Sequence, residues 1–191
     1  MVSSGRRHHR YTYAQYVALE KLSDIKHEFF DGEIYAMAGG SEDHSALAAE
    51  ILRVLGNAVA DRPCRVHTSD LRIYVEAVGL ATFPDGSVIC GPLQQHAPSP
   101  DATALNPAIL VEVTSDSSEE YDTGDKLDAY RTIPTLKEYI VVSHRERRIT
   151  VHRREDQRWT MRSAIRSSSV IVETLGAELV VDTIYRNSAV P

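Results

Sequence analysis

Residues 108–113 read Ala-Ile-Leu-Val-Glu-Val, an almost unbroken apolar run between Asn106-Pro107 and Thr114-Ser115. A strand exposed on one face alternates apolar and polar side chains. A run that is apolar on both faces belongs at the centre of a sheet covered on both sides. Glu112 is the exception within it. An unpaired carboxylate in such a position is so costly that it either takes up a proton or finds a cation. The rest of the chain has to supply that partner.

The 191 residues are enough for one domain with a real core. Thr12 is a candidate cap for a short helix in YTYAQYVALEKLS. Asp31-Gly32 separates two short β-rich runs in KHEFFDGEIYAMA, a strong hairpin signal. Ser41 caps a longer helix in which Leu47, Ile51, Val54, Leu55 and Ala58 recur at helical spacing. CRVHTSD, LRIYVEA, GSVIC and AILVEV then read as strands. Ser117 and Glu120 form a capping-box pattern that opens a helix to about Arg131, stopped by Pro134. KEYIVVS, RRITVHRR and RWTMRSA follow as strands, and LVVDTIYRN as a last strand passing into a short helix. The expected fold is α/β (α+β): a central mixed sheet flanked by helices, with an N-terminal hairpin and extra C-terminal strands. Residues 1–10 are expected to be a disordered basic tail, and residues 11–187 a single domain.

A formal net charge of −6 argues against a protein that coats nucleic acid non-specifically, while leaving room for a local basic surface. Cys64 and Cys90 lie far apart without a CxxC spacing, so they read as reduced, packed thiols with no metal or redox role. No apolar segment follows the basic start, which gives no secretory signal. The stretch ALAAEILRVLGNAVA is interrupted by Glu50, Arg53 and Asn57 and cannot span a bilayer. A soluble, cytoplasmic protein without a membrane partner is expected.

Three carboxylates stand out. Asp85, in Phe-Pro-Asp-Gly, fits ordinary turn chemistry. Glu112 could be half of a buried salt bridge. Glu28 could pair across its hairpin. Together they suggest more, because neighbouring core strands starting at Asp85 and centred on Glu112 can aim both carboxylates at one point. Two hard oxygen ligands, a backbone carbonyl and waters suit Mg2+ or Mn2+. A cation there could activate water and stabilise charge on a phosphate. Lys126 is the assisting cation in the right stretch, although it could equally form a surface i,i+4 pair with Asp122. His44, near the start of the longer helix, could contact a phosphate or serve as a capping or surface residue. Neither a recognisable Ser-His-Asp set nor a P-loop lysine in AGGSEDH is present. The stretch from Arg145 to Arg166 is the chief basic surface. Arg148, Thr150, His152 and Arg154 share one strand face there, either solvated or, beside a cleft, a contact for a nucleic-acid backbone.

The ordered segments HEFFDGEIYAMAGGSEDH, FPDGSVICGP, NPAILVEVTSDSSEEYDTGDKLDAYRTIPTLKEYIVVS and ITVHRR resemble the Uma family, a bacterial group of endonuclease-like proteins expanded in cyanobacteria. That family is in turn similar to the restriction-endonuclease-like PD-(D/E)XK nucleases. The resemblance implies a metal-dependent endonuclease acting on phosphodiester bonds, most readily in DNA. Within it, Asp85 matches the aspartate of the PD element and Glu112 the acidic residue of (D/E)XK. The Val113 carbonyl would be a third ligand. Glu28 matches the early glutamate, as ligand or water-orienting base, and Lys126 matches a lysine on the following helix. Thr114 stands where the parent superfamily has its lysine, and Gly86 where a branched apolar residue is expected. The rival expectation is a catalytically inactive module of the same fold that binds nucleic acid or protein. A homodimer is expected because cutting both strands of a duplex needs two sites.

Overall fold

The computed structural model describes residues 9–97 and 103–191. The expected tail therefore lies outside the described residues except at its end, where Arg10 pairs with Asp31 at 2.7 Å. The apolar run at 108–113 sits inside a six-stranded sheet. In spatial order its strands are β11 (Arg158–Ile165), β10 (Arg148–Glu155), β9 (Glu138–Val142), β8 (Ile109–Val113), β6 (Gly86–Cys90) and β3 (Cys64–Thr68). β8 and β9 run parallel and the other neighbours antiparallel. All five residues of β8 are buried, as the two-sided apolar pattern requires.

Alternate residues of β8 serve two different cores. Ile109, Val111 and Val113 pack with Leu47, Ile51 and Leu55 of α2 (Glu42–Ala58), and with β12 (Ser169–Val172), β13 (Ala177–Val180) and α5 (Val181–Ile184). On the opposite face, Leu110 packs with Leu127 and Tyr130 of α4 (Asp125–Arg131) and with Ile73, Val75 and Leu80 of a second sheet. That sheet has the order β2 (Glu33–Ala36), β1 (His27–Phe30), β5 (Leu80–Thr82), β4 (Arg72–Val75) and β7 (Thr103–Ala104). Its far side is closed by Tyr16 and Val17 of α1 (Tyr13–Glu20) on Phe29 and Ala81. The mixed α/β architecture with its central sheet, hairpin and C-terminal strands is as expected. The separate five-stranded layer is not, because β5 and β7 are too short to announce themselves in sequence.

Local signals explain the element boundaries. Thr12 and Gln15 form a reciprocal capping box, at 2.8 Å and 3.2 Å. Asp31 and Gly32 both take positive φ, 45° and 85°, and turn β1 into β2. The Ser41 hydroxyl accepts from the His44 backbone N–H at 3.2 Å. The Ser117/Glu120 box does not form. Ser118 is the cap residue, its hydroxyl taken by the Ser115 N–H at 3.0 Å. The expected helix is also split at Gly124 into α3 (Glu119–Thr123) and α4. A Cβ at Gly124 would lie 2.8 Å from the Glu120 carbonyl oxygen, so the break is a glycine position. Gly86 has a packing reason too. A Cβ there would meet Leu52 Cδ2 at 2.4 Å, so α2 lies where the expected branched residue would have gone.

The reading of the cysteines as separate reduced thiols is corrected. Cys64 and Cys90 are direct partners in the β3–β6 ladder, their Cα atoms 3.9 Å apart, and they form a disulfide. Antiparallel pairing brings together residues whose spacing of 26 carries no motif. Among the described residues no helix is long and apolar enough to cross a membrane.

The disulfide gives a direct test. Unreduced, denatured protein should contain no free thiol. Reduction should lower the unfolding free energy by about 3.5 kcal/mol, the chain-entropy value for a loop of this length. An unchanged denaturation midpoint after reduction would remove the cross-link from the stability of the fold.

Candidate active site

Glu112 shares its face of β8 with Leu110 and points towards α4 and the second sheet. There it meets Lys126, whose Nζ lies 2.9 Å from Glu112 Oε1, 3.0 Å from Glu28 Oε1 and 3.5 Å from Asp122 Oδ1. The Tyr130 hydroxyl donates to the same Glu112 oxygen at 2.8 Å. Glu28 arrives from β1, where the hydroxyls of Thr82 and Tyr121 donate to it. The Lys126 and Asp122 side chains are only 5% and 3% exposed, so their i,i+4 pair is real but is not a surface pair. Sequence reasoning missed Asp122, Tyr130 and Thr82 as members. The signal available was the spacing 122, 126, 130, one polar stripe on a helix face.

Asp85 sits where β6 and β8 part. Its Oδ2 accepts from the Val113 backbone N–H at 2.8 Å, and its own N–H donates to Glu112 Oε2 at 3.4 Å. Each carboxylate is thus tied to the other's strand. His44, in the first turn of α2, places Nε2 3.2 Å from Asp85 Oδ2 and also bonds the Val113 carbonyl. A Cβ on Gly40 would fall 2.5 Å from His44 Nδ1, so the glycine before Ser41 clears room for this ring. Four of the residues singled out in sequence, Glu28, Asp85, Glu112 and Lys126, therefore converge, and His44 joins them through Asp85.

Other positions stand apart. Thr114, the residue two after Glu112, is buried and binds His144, taking its backbone N–H at 3.1 Å and contacting Nδ1 at 2.8 Å. Arg154 donates to the carbonyls of Arg131 at 2.6 Å and Ile133 at 2.8 Å and stacks on Trp159. Its guanidinium is the C-terminal cap of α4. His152 is buried against Tyr139, and burial pushes its pKa down to about 4. Arg148 remains exposed, paired with Glu146 at 2.9 Å. It lies two residues before Thr150, which is in register with Val141 and so with Glu112.

The electrostatics follow from one cation among several anions. Burial pushes the Glu112 carboxyl from 4.5 to about 8, with Asp122 and Asp85 adding to the shift and Lys126 offsetting part of it. Burial also raises Asp122. For Lys126 burial works downwards, but Glu112, Glu28 and Asp122 outweigh it and hold the ammonium well above its ordinary value. The hydrogen bond to Asp85 raises His44 against the opposing effect of burial.

This surplus of carboxylate suits a hard divalent cation. Among the described residues no set of three or more His, Cys, Asp and Glu side chains is grouped to hold one ion. Asp85 and Glu112 meet at the β6–β8 fork, where their carboxylates could serve as two oxygen ligands, with the Val113 carbonyl, which His44 also bonds, as a third. Mg2+ keeps several waters and commonly takes one or two carboxylates plus substrate phosphate, so the residues present fit it.

Residues 13–183 match the model of Uma2, described as "Putative restriction endonuclease". The chain belongs to the Uma2 family. It is similar to "Uncharacterized protein slr1290" of Synechocystis sp. (strain ATCC 27184 / PCC 6803 / Kazusa), 34% identical over 176 residues, covering 92% of this chain and 91% of that one. "Uncharacterized protein sll1609" of the same organism is 32% identical over 131 residues, covering 69% and 73%. The fold is shared with the crystal structure of a "putative nuclease belonging to DUF820" from Anabaena variabilis ATCC 29413. The TM-score is 0.69 at 18% identity, over 86% of this chain and 92% of that one. Uma2 membership supports a nuclease function, and the shared fold is restriction-endonuclease-like.

The raised Glu112 value sets a pH dependence. Between 4.5 and about 8 the folded protein holds a proton that the unfolded chain has released. Stability of the protein dialysed against chelator should therefore fall as pH rises through that window. Asp122 and His44, also raised, act in the same direction. Glu112→Gln should make the fall of melting temperature with pH shallower. An unchanged slope would mean that the buried carboxyl is already ionised.

Proposed function

We propose that this Uma2 protein is a Mg2+- or Mn2+-dependent endonuclease that hydrolyses phosphodiester bonds, with DNA as its substrate. The observation that carries this reading is the buried Lys126 ammonium, held between Glu112 and Glu28 beside the Asp85–Glu112 fork. Asp85, Glu112 and the Val113 carbonyl would hold the cation, which when bound would supply Lewis acidity towards the phosphate and a more acidic water. Lys126 aims positive charge at the phosphate oxygen where charge develops. It replaces from α4 the lysine that Thr114 cannot provide. Glu28 orients Lys126 and the attacking water, and Tyr130 donates to the Glu112 oxygen that Lys126 also contacts. His44 holds Asp85 in place. Arg148, exposed on the sheet face that carries Thr150, contacts the DNA backbone.

A second reading has one observation behind it. The carboxylates are already satisfied by Lys126, Tyr130, Thr82 and His44, which is also what an inactive binding module would need.

Plasmid cleavage with Mn2+ separates the two. Asp85→Ala should abolish cleavage and also the rise in melting temperature that Mn2+ gives the native protein. That rise is worth about 2.7 kcal/mol at a hundredfold excess over Kd. Lys126→Met should keep much of the Mn2+ effect while losing about 10²–10³ in rate. Wild-type protein that binds duplex without nicking it at any metal concentration would establish the binding module.

Double-strand cutting needs two sites, and β11 is an edge strand with no strand partner on its outer side among the described residues. A two-fold dimer through this edge completes the proposal. Sedimentation at micromolar concentration should give the dimer mass, and a clean monomer would exclude it.

A further inference from the structure

The hairpin that carries Glu28 has two faces with different surroundings. Phe29 and Ile34 point towards α1 and pack with Tyr16 and Ala81. Glu28, Phe30, Glu33 and Tyr35 lie on the other face, since strand neighbours alternate and directly paired residues share a side. One row crosses this face. Tyr35 pairs with Glu28 in the β1–β2 ladder, and from β5 the Thr82 hydroxyl donates to the Glu28 carboxylate. Thr82 is fully buried, whereas Tyr35 is 49% exposed. Glu28 therefore has a covered neighbour on one side and an open one on the other, and its own side chain is 12% exposed.

A second ring stands beside Tyr35. Phe30 is its diagonal neighbour on the same face and is 43% exposed. Aromatic side chains reach one another across such a diagonal. Single apolar residues scattered over a surface need no explanation. Two adjoining rings, in line with a carboxylate of the buried cluster, do. The Tyr35 hydroxyl is already spent, donating to Glu33 at 2.5 Å. That bond orients the ring and leaves its π-face for a partner. Tyr121 approaches Glu28 from α3, its hydroxyl donating to the carboxylate and its ring centre 5.4 Å from Lys126 Nζ. Aromatic groups thus stand on two sides of Glu28.

We propose, on the nuclease reading, that Tyr35 and Phe30 form a stacking platform for one nucleobase turned out of its helix beside the phosphate being cut. Charge decides between the parts of a nucleotide. Glu33 lies on the same face and makes it unsuited to a phosphate. A base is uncharged, and its π-face stacks on aromatic side chains whatever its identity. One strand spacing, about 4.8 Å, separates the backbones of Tyr35 and Glu28. A base on this ring therefore belongs to a nucleotide adjoining the cluster. Within an unbroken duplex both faces of every base are covered, so the platform is used only after a base leaves the stack. Leaving costs least where the nucleotide is mismatched or unpaired. The substrate class is accordingly DNA with an unpaired nucleotide at the cut.

The test uses the full chain and two labelled DNA duplexes that differ only in one unpaired nucleotide. Binding is read by fluorescence anisotropy in chelator, where no cutting occurs. The wild type should bind the interrupted duplex about tenfold more tightly than the paired one. Tyr35→Ala should lose that preference and bind the paired duplex as before. Tyr35→Phe should keep it, because the ring and not the hydroxyl makes the contact, and Phe30→Ala should lose part of it. Both side chains are exposed, so melting temperatures and the Mn2+ shift should stay near the wild-type values. Equal preference in wild type and Tyr35→Ala, or none in the wild type, would overturn the platform, while plasmid cleavage by the same proteins would keep the nuclease reading. A preference that needs Tyr35, in a protein that cuts no DNA at any metal concentration, would uphold the platform and sink the nuclease reading instead. Binding to neither duplex would sink both. A dimer that Tyr35→Ala converts to a monomer, with the preference unchanged, would give this face to a second copy of the chain and overturn the proposal.

Discussion

The burial of one lysine is the constraint on which the rest of this structure depends. An ammonium taken out of water needs several acceptors at good geometry, and no single element can provide them. Lys126 obtains them from β8, from β1 and from α3 through Asp122. The second sheet must therefore dock over the central one, and the β8–β9 crossover must lie with α4 inward. Tyr130 and Tyr139 complete the enclosure, with rings 5.2 Å apart and hydroxyls spent on Glu112 and on the Asp122 carbonyl. The polar cluster and the apolar core around it are one packing unit. Such a fully satisfied network specifies a single arrangement better than an apolar core of equal volume.

The strand bearing Gly86–Cys90 is secured by a different means at each end. At its start, the Asp85 carboxylate bonds the Val113 N–H where the ladder has ended. At its finish, Cys90 is bonded covalently to Cys64. Between these points Gly86 lets α2 approach until Leu52 occupies the space of a side chain. The fork between Asp85 and Glu112 is thus borne by a strand fixed at both ends, the kind of support that an accurately placed set of side chains needs.

Much of this was legible in the amino-acid order, for identifiable reasons. β8 showed itself because a strand covered twice is apolar twice, and Glu112 because it broke that pattern. Caps at Thr12 and Ser41 and the turn at Asp31-Gly32 are local chemistry and need no tertiary knowledge. The Ser117/Glu120 box is equally local, yet Ser118 takes the cap position and the Ser117 hydroxyl is turned to that of Ser115 at 3.1 Å. The disulfide, Tyr130, Thr82 and the enclosure of Asp122 were hidden because each depends on partners brought together by the whole fold. Arg154 and His152 shared a face as the alternation rule requires. That rule gives the direction of a side chain but not what covers it, and α4 and Tyr139 do the covering.

The hairpin that carries Glu28 has a further consequence. Its outer strand, β2, is mostly exposed, and β1 reaches the rest of its sheet through the pairs Phe29–Ala81 and Phe30–Leu80. Regions with so little buried surface open at a lower free energy than the molecule as a whole. Each such opening would withdraw one acceptor from Lys126 while leaving the β6–β8 fork intact. The population of closed hairpin, readable as amide protection in β1, would then set the fraction of molecules with a complete polar cluster at any instant. Residues remote from the fork, on the exposed face of β2, would influence the completeness of the polar cluster by shifting that population, without touching Lys126.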